Sequence, residues 1–444
     1  MHTRLTSPQI DAAIDRIERA AHRQTLTIPD RRRPTWVHTL RVQAGHFRHD
    51  SVRRAGSRAL RLLQSYAPDS VVLALALRLP GFEALPTDPS RVDALLGRLE
   101  SGDPHVPPAA RLAHQVYTRI HRQLSHRPVQ DLRIDFHDPL GPGADDAEDA
   151  DAADAATEMA LALREQLLCP MVGLRIAPLT RATAQRALRT LDVFVSTLAD
   201  RAGGAMPDRL VVSVPDVSHE DQISALVQVI GSLEAALRLP RMSIRVEIGL
   251  AASGAFDDNG SCRIPTIVSA AIGRCVDVRI EPSSVAEALG TRDPAGARGL
   301  RDLARLSLAG SPIPVSYGTS PDLPRSEGVR GAEQAQRYAV VHAAWRSHYD
   351  AVLHGLREGF AWGWDTDAGQ IPARLAAVGV FYQQHLDEIR HSLEAWARTG
   401  ARENRNLVDE VRTGVDCGAL WAEDLTGTGF DPDDFSSWPA DDGA

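Results

Sequence analysis

Apolar positions along this chain follow two alternating periods. In DLRIDF, at 131–136, Leu132, Ile134 and Phe136 fall two apart, a strand repeat, with polar residues between them. Similar short runs recur at 35–42, 171–176, 209–214, 243–250, 275–280 and 313–316, and an eighth is legible at 360–364. Between them lie amphipathic stretches with helical spacing, such as 181–201 and 219–239. Strand alternating with helix many times predicts an α/β protein with a parallel sheet. Eight strands fit a (β/α)8 TIM barrel better than an open sheet.

The same pattern places the extra material. Residues 43–130 predict a helical insertion after the first strand, and 333–365 and 372–398 predict long helices after the last strands. The expected organisation is a single barrel domain over residues 1–425, with its C-terminal helices at 333–425. An acidic, Gly/Pro-rich and poorly ordered tail follows at 426–444. The amino-terminal segment predicts an amphipathic helix opened by Ser7 and Pro8 and has no apolar signal core. No apolar run approaches the roughly 18–20 residues that span a bilayer. The expectation is a cytoplasmic protein without membrane partners.

In parallel α/β folds ligands sit beyond the carboxyl ends of the strands. The 131–136 run ends in a polar knot, Asp135, His137 and Asp138, before Gly and Pro break the chain and an acidic helix starts. Asp135 and His137 are two apart and share a strand face. The knot is either a site or a strand end with its polar caps in water.

Composition narrows the chemistry. The net charge of −9 over 444 residues disfavours nucleic acid as a partner. Four cysteines, Cys169, Cys262, Cys275 and Cys417, are scattered without a C-x-x-C pair, so neither a disulfide framework nor a zinc knuckle is present. All 49 basic residues are arginine. Without lysine, Schiff-base chemistry and a standard P-loop are both excluded. Recognition of anions through the planar guanidinium fork remains open.

The order of motifs resembles the HpcH/HpaI aldolase and citrate lyase β-subunit superfamily, and within it an uncharacterised actinobacterial branch. The stretches that carry the likeness are RIDFHDPLGPGADDAEDA from Arg133, VGLRIAPLT at 172–180, GFAWGWDTDAGQIPAR at 359–374 and Val415-Asp-Cys-Gly418. The resemblance implies a barrel that stabilises an enolate as a carbon–carbon bond breaks or forms. A divalent ion, usually Mg2+, would hold a 2-oxo acid or an acyl thioester, and homo-oligomers are common. It also implies site roles for Asp135, His137 and Asp138, with Arg175 on the substrate carboxylate. Arg175 could equally form a structural salt bridge to Asp135.

The departures from that pattern fall on the metal. The two positions that hold it in the superfamily carry Ala251 and Ser284 here. Glu247 is kept, but it lies four residues earlier on its strand, roughly 13 Å deeper in the barrel. Glu281 is either a replacement ligand or a solvent-facing loop residue. Asp216 replaces a lysine after the fourth strand. The expectation is an aldolase-like barrel with a metal-deficient site that binds a small anionic metabolite through Arg175, Glu247, Glu281 and Asp216, with or without catalysis. The alternative is an active carbon–carbon lyase with a relocated metal site. His342, His348 and His354 are six apart, rotate around a helix, and predict ordinary helix residues.

Overall fold

The computed structural model describes residues 38–136, 145–290, 295–318, 322–325, 334–360, 363–399 and 405–429. The expected first helix, His137, Asp138 and the tail beyond residue 429 lie outside these. Eight strands form one parallel sheet: β1 (His38–Gln43), β2 (Asp131–Asp135), β3 (Met171–Arg175), β4 (Leu210–Val217), β5 (Ile244–Leu250), β6 (Cys275–Ile280), β7 (Val315–Tyr317) and β8 (Gly363–Asp365). Each pairs with its neighbours in the order β7-β6-β5-β4-β3-β2-β1-β8, which makes a nearly closed barrel with helices between the strands. The two ends of the sheet come together: a Cβ on Gly318, just after β7, would sit 2.6 Å from the Trp364 ring on β8.

The alternation read from the sequence places the side chains in an unusual way. Leu132, Ile134, Leu174, Val212, Ile248 and Val278 belong to the apolar core under the helices. The polar residues between them point into the barrel and are buried. Interior side chains in such barrels are mostly Val, Ile and Leu. Here Arg133 on β2 donates to Ser213 on β4 at 3.0 Å and reaches Glu247 on β5 at 3.4 Å. Arg279 on β6 donates to Glu247 at 2.8 Å and approaches Thr39 on β1 at 3.4 Å. β1 and β6 are not neighbours in the sheet, so this last contact crosses the barrel interior. Gly173 on β3 permits the close packing, since a Cβ there would lie 1.9 Å from the Val211 carbonyl oxygen.

The insertion is helical, as expected: Ser51–Tyr66, Ser70–Leu77, Pro89–Glu100 and Pro108–His126. Two of these helices open on proline, where the missing N–H costs nothing. Asp69 caps the largely apolar Ser70–Leu77 by accepting from the amides of Val71 and Val72. After β7 come helices Gln334–Arg357, Ile371–Gln384, Leu386–Thr399 and Arg405–Asp416. The chain beyond them is fastened to the insertion, because Asp424 takes Arg119 at 2.6 Å and Trp421 stacks on Arg119 and Arg122. No described helix is long and apolar enough to cross a membrane.

His348 departs from its expected role as an ordinary helix residue. It is fully buried, and its Nε2 lies 3.0 Å from the Asp365 carboxylate, without hydrogen-bond alignment. Arg374 donates to both oxygens of Asp365 at 2.9–3.0 Å. Burial alone would raise the Asp365 carboxyl; Arg374 and His348 hold it well below the usual range instead. This cluster locks β8 to the helices outside the barrel.

Candidate anion site at the barrel mouth

The carboxyl ends of the strands gather a second charge cluster above the interior one. Asp135 is the last residue of β2, Arg175 the last of β3, and Glu281 follows β6 directly. Arg41, two residues from the end of β1, reaches across the barrel to Glu281 with Nη2 2.5 Å from Oε1. Arg175 lies between two carboxylates. Its Nη1 is 3.3 and 3.5 Å from the Asp135 oxygens, and its Nη2 is 3.4 Å from Glu281. Charge-assisted N–H···O bonds ordinarily close to about 2.7–2.9 Å, so Arg175 is held slackly by both partners. The side chains of Arg175 and Asp135 are each 7% exposed, and that of Glu281 is 20% exposed.

The electrostatics follow from this packing. Burial alone would raise the Glu281 carboxyl, but the guanidiniums of Arg41 and Arg175 overcome it and hold it at about 2. Burial lowers Arg41 to about 10 despite Glu281, which still leaves it charged at neutral pH. For Arg175 the carboxylates of Glu281 and Asp135 outweigh burial and push its guanidinium up. Arg41 also lies over the face of Trp364, 4.9 Å from the ring centroid.

Asp216 joins the rim through backbone strain. A register irregularity between Val214 and Val217 interrupts the β4–β5 ladder, and Asp216 takes φ +55°. Bulges re-aim side chains, and a non-glycine residue with positive φ is strained. Asp216 accepts a hydrogen bond from the Ser284 hydroxyl at 2.8 Å. Ala251 sits just past the last residue of β5, with its amide bound to the Val217 carbonyl at 2.9 Å.

The structure thus brings together Asp135, Arg175 and Glu281, with Asp216 beside Ser284. Glu281 is an ion-paired residue rather than a solvent-facing one. Glu247 stands apart. It is buried below the mouth, accepts from Arg279, Ser213 and Arg133, and has no open side toward a ligand. Arg41 was not anticipated. Its signal was the alternation Thr39-Leu40-Arg41-Val42, the same polar-in pattern as Asp131-Leu132-Arg133-Ile134.

The described side chains do not fit the Mg2+ that the sequence resemblance implies. Mg2+ needs several oxygen donors in near-octahedral order. Ala251 offers none from its side chain. The Ser284 hydroxyl is engaged with Asp216, and guanidiniums already occupy Asp135 and Glu281. Among the described residues no group of three His, Cys, Asp or Glu side chains converges as a ligand set. What the arrangement offers at the strand ends is two guanidiniums, ion-paired with the carboxylates of Asp135 and Glu281.

Comparison with known proteins gives a family. No curated protein matches the chain. A family model described as "Domain of unknown function (DUF6986)" matches residues 17–439. Among solved structures, the chain is similar to Haloferax volcanii malate synthase in its lead(II) complex, at 10% identity and TM-score 0.41, covering 65% of this chain and 81% of that one. The magnesium/glyoxylate complex of the same enzyme is 11% identical with TM-score 0.39, over 70% of this chain and 84% of that one. The citrate lyase beta subunit complexed with oxaloacetate and magnesium from M. tuberculosis is 17% identical with TM-score 0.34, over 59% of this chain and 92% of that one. At these values the likeness transfers no ligand and no residue role.

Proposed function

The chain belongs to the DUF6986 family, a domain of unknown function, and from that premise we propose that its barrel mouth binds a small anionic metabolite through arginine. The class is a 2-oxo acid or an acyl thioester, as the sequence resemblance to the HpcH/HpaI aldolases and citrate lyase β-subunits implies. The observation that carries the reading is a substitution of charge. The superfamily's metal positions are Ala251 and Ser284, while Arg41 and Arg175 bring two guanidiniums to the strand ends. Arg175 is the recognition group. A carboxylate entering the mouth would exchange two slack ion pairs for a bidentate one. Arg41, drawn to Glu281 and laid on Trp364, supplies background positive charge in a water-poor setting. Such charge stabilises anions and developing enolates far better than it would in water. Binding does not require turnover, and the reading is of a repurposed barrel whose chemistry has moved away from a protein-held ion.

Calorimetric titration with pyruvate in the presence of a chelator tests this. Saturable binding is expected in EDTA, and Arg175→Ala should abolish it. Losing a charged hydrogen-bonding partner from a buried site costs about 2–5 kcal/mol, a weakening of thirtyfold or more. If binding appears only with added Mg2+ or Mn2+ and vanishes in EDTA, the alternative holds: an active carbon–carbon lyase with a relocated metal site.

A further inference from the structure

We propose that the exposed arginine stripe on the helix Ser51–Tyr66 is a binding site for a phosphate-bearing polyanion, separate from the barrel mouth. Asp50, Arg53, Arg54, Ser57, Arg58 and Arg61 line a cleft of about 440 Å³ along one face of this helix. Ala55, Gly56, Ala59 and Leu63 are buried on the opposite face, so the arginine face is fixed toward the outside.

The charges on this face do not balance. Arg53 and Arg54 share the single carboxylate of Asp50, at 3.1 and 2.7 Å. Arg58 shares Asp367 with Arg325, at 3.0 and 3.3 Å. Arg61 makes no ion pair among the described residues. Among the described ion pairs, the four guanidiniums of this helix and Arg325 therefore have two carboxylates to share, on a chain whose net charge is −9.

The placement also works against the helix. Its first turn holds no acidic residue and its last turn no basic one, while the arginines crowd the amino-terminal half. The helix dipole favours the reverse. Arg54 and Arg58 are one turn apart and repel. A sequence that sets more arginines against these local rules than the described carboxylates can pair points to a function there. An anion seated between the guanidiniums relieves all of these conflicts.

The ligand's class follows from spacing and geometry. Arg54 and Arg61 are seven residues apart, which is roughly 10 Å of helix. A chain of two or three phosphates spans that stretch and engages more of the guanidiniums at once than a single phosphate does. The guanidinium fork matches phosphate oxygens in pairs. Arg58 ties the stripe to Asp367, just beyond the carboxyl end of β8, so the cleft opens on the mouth side of the barrel.

Inorganic tripolyphosphate is the probe, titrated calorimetrically into the full chain at low salt. We expect one saturable site whose affinity falls as salt rises. The double variant Arg54→Ala/Arg61→Ala should weaken it at least tenfold while leaving the melting temperature unchanged or higher, since like charges are removed. Arg175→Ala should bind tripolyphosphate as the parent does, which keeps this result independent of the mouth and of pyruvate binding there. The proposal is overturned if the parent shows no saturable binding, if the double variant binds equally well, or if Arg175→Ala removes the site.

Discussion

Glu247→Gln tests the charged barrel interior most directly. The carboxylate accepts from Arg279 at 2.8 Å and Ser213 at 2.7 Å, with Arg133 at 3.4 Å. Burial would raise its pKa, but Arg279 and then Arg133 bring it below the ordinary range. Glutamine keeps the shape and removes the charge, and its amide nitrogen can only confront donors. Arg133 retains Asp131 as a counter-ion. Arg279 is left with Thr39 at 3.4 Å and the face of Trp364 at 4.4 Å, and its Nε and Nη1 have no partner even in the parent. Orphaning a buried charge costs about 3–5 kcal/mol.

One compensation is built in. Burial, then repulsion from Glu247, pushes the Asp277 carboxyl up to about 8, so it is protonated at neutral pH. Removing the Glu247 charge lets Asp277 ionise and face Arg279. The expected loss is therefore near the lower bound, about 3 kcal/mol, or roughly a hundredfold in the folding equilibrium. Urea unfolding followed by circular dichroism at pH 7 reads it as a lower midpoint. Adding Asp277→Asn removes the compensation, so the double variant should lose more than the two single effects summed. A Glu247→Gln midpoint that matches the parent would refute the claim that this carboxylate holds the interior together.

Two other outcomes follow from the same charges. Asp277 keeps its proton in the folded chain to about pH 8, while the unfolded chain gives it up above its ordinary value of 3.8. The folded state binds the extra proton between these limits, so stability falls as pH rises through that window, by about 1.4 kcal/mol per unit. Asp277→Asn should flatten that decline and stabilise the protein at pH 7 by on the order of 4 kcal/mol, read from melting temperatures between pH 5 and 8; a parent-like slope in the variant would count against it. Pyruvate affinity should stay level between about pH 6 and 8, because Glu281 at about 2 and Arg41 at about 10 do not titrate there, and Asp131 at about 6 and Asp277 at about 8 bracket the window. A tenfold change in calorimetric affinity across that range would mean that some other group governs binding.

Much of the barrel was legible because strand and helix periods differ, and that difference survives any choice of polar residue. What misled was the meaning of the polar positions. In Asp131-Leu132-Arg133-Ile134-Asp135 an alternating pattern ordinarily means one face in water, yet all five residues are buried. The sheet curls so that the polar face turns inward, and no local signal distinguishes inside from outside. Arg175, Asp135 and Glu281 were readable because they sit at strand ends. Arg41 was hidden one turn of the pleat below, and its partner lies 240 residues away. His348 was hidden for a similar reason, since its partner Asp365 is on a strand outside its own helix.

The interior and the mouth make one electrostatic argument. With Asp277 protonated, Arg133 and Arg279 balance Asp131 and Glu247, so the column beneath the mouth is neutral at pH 7. Arginine makes such a column feasible, because a buried lysine would shed its proton and leave the carboxylates unopposed. A neutral column neither attracts nor repels what enters above it. The field at the strand ends is then set by Arg41, Arg175 and the carboxylates that orient them. Arg41 is held in place there by the face of Trp364 and the Glu281 carboxylate.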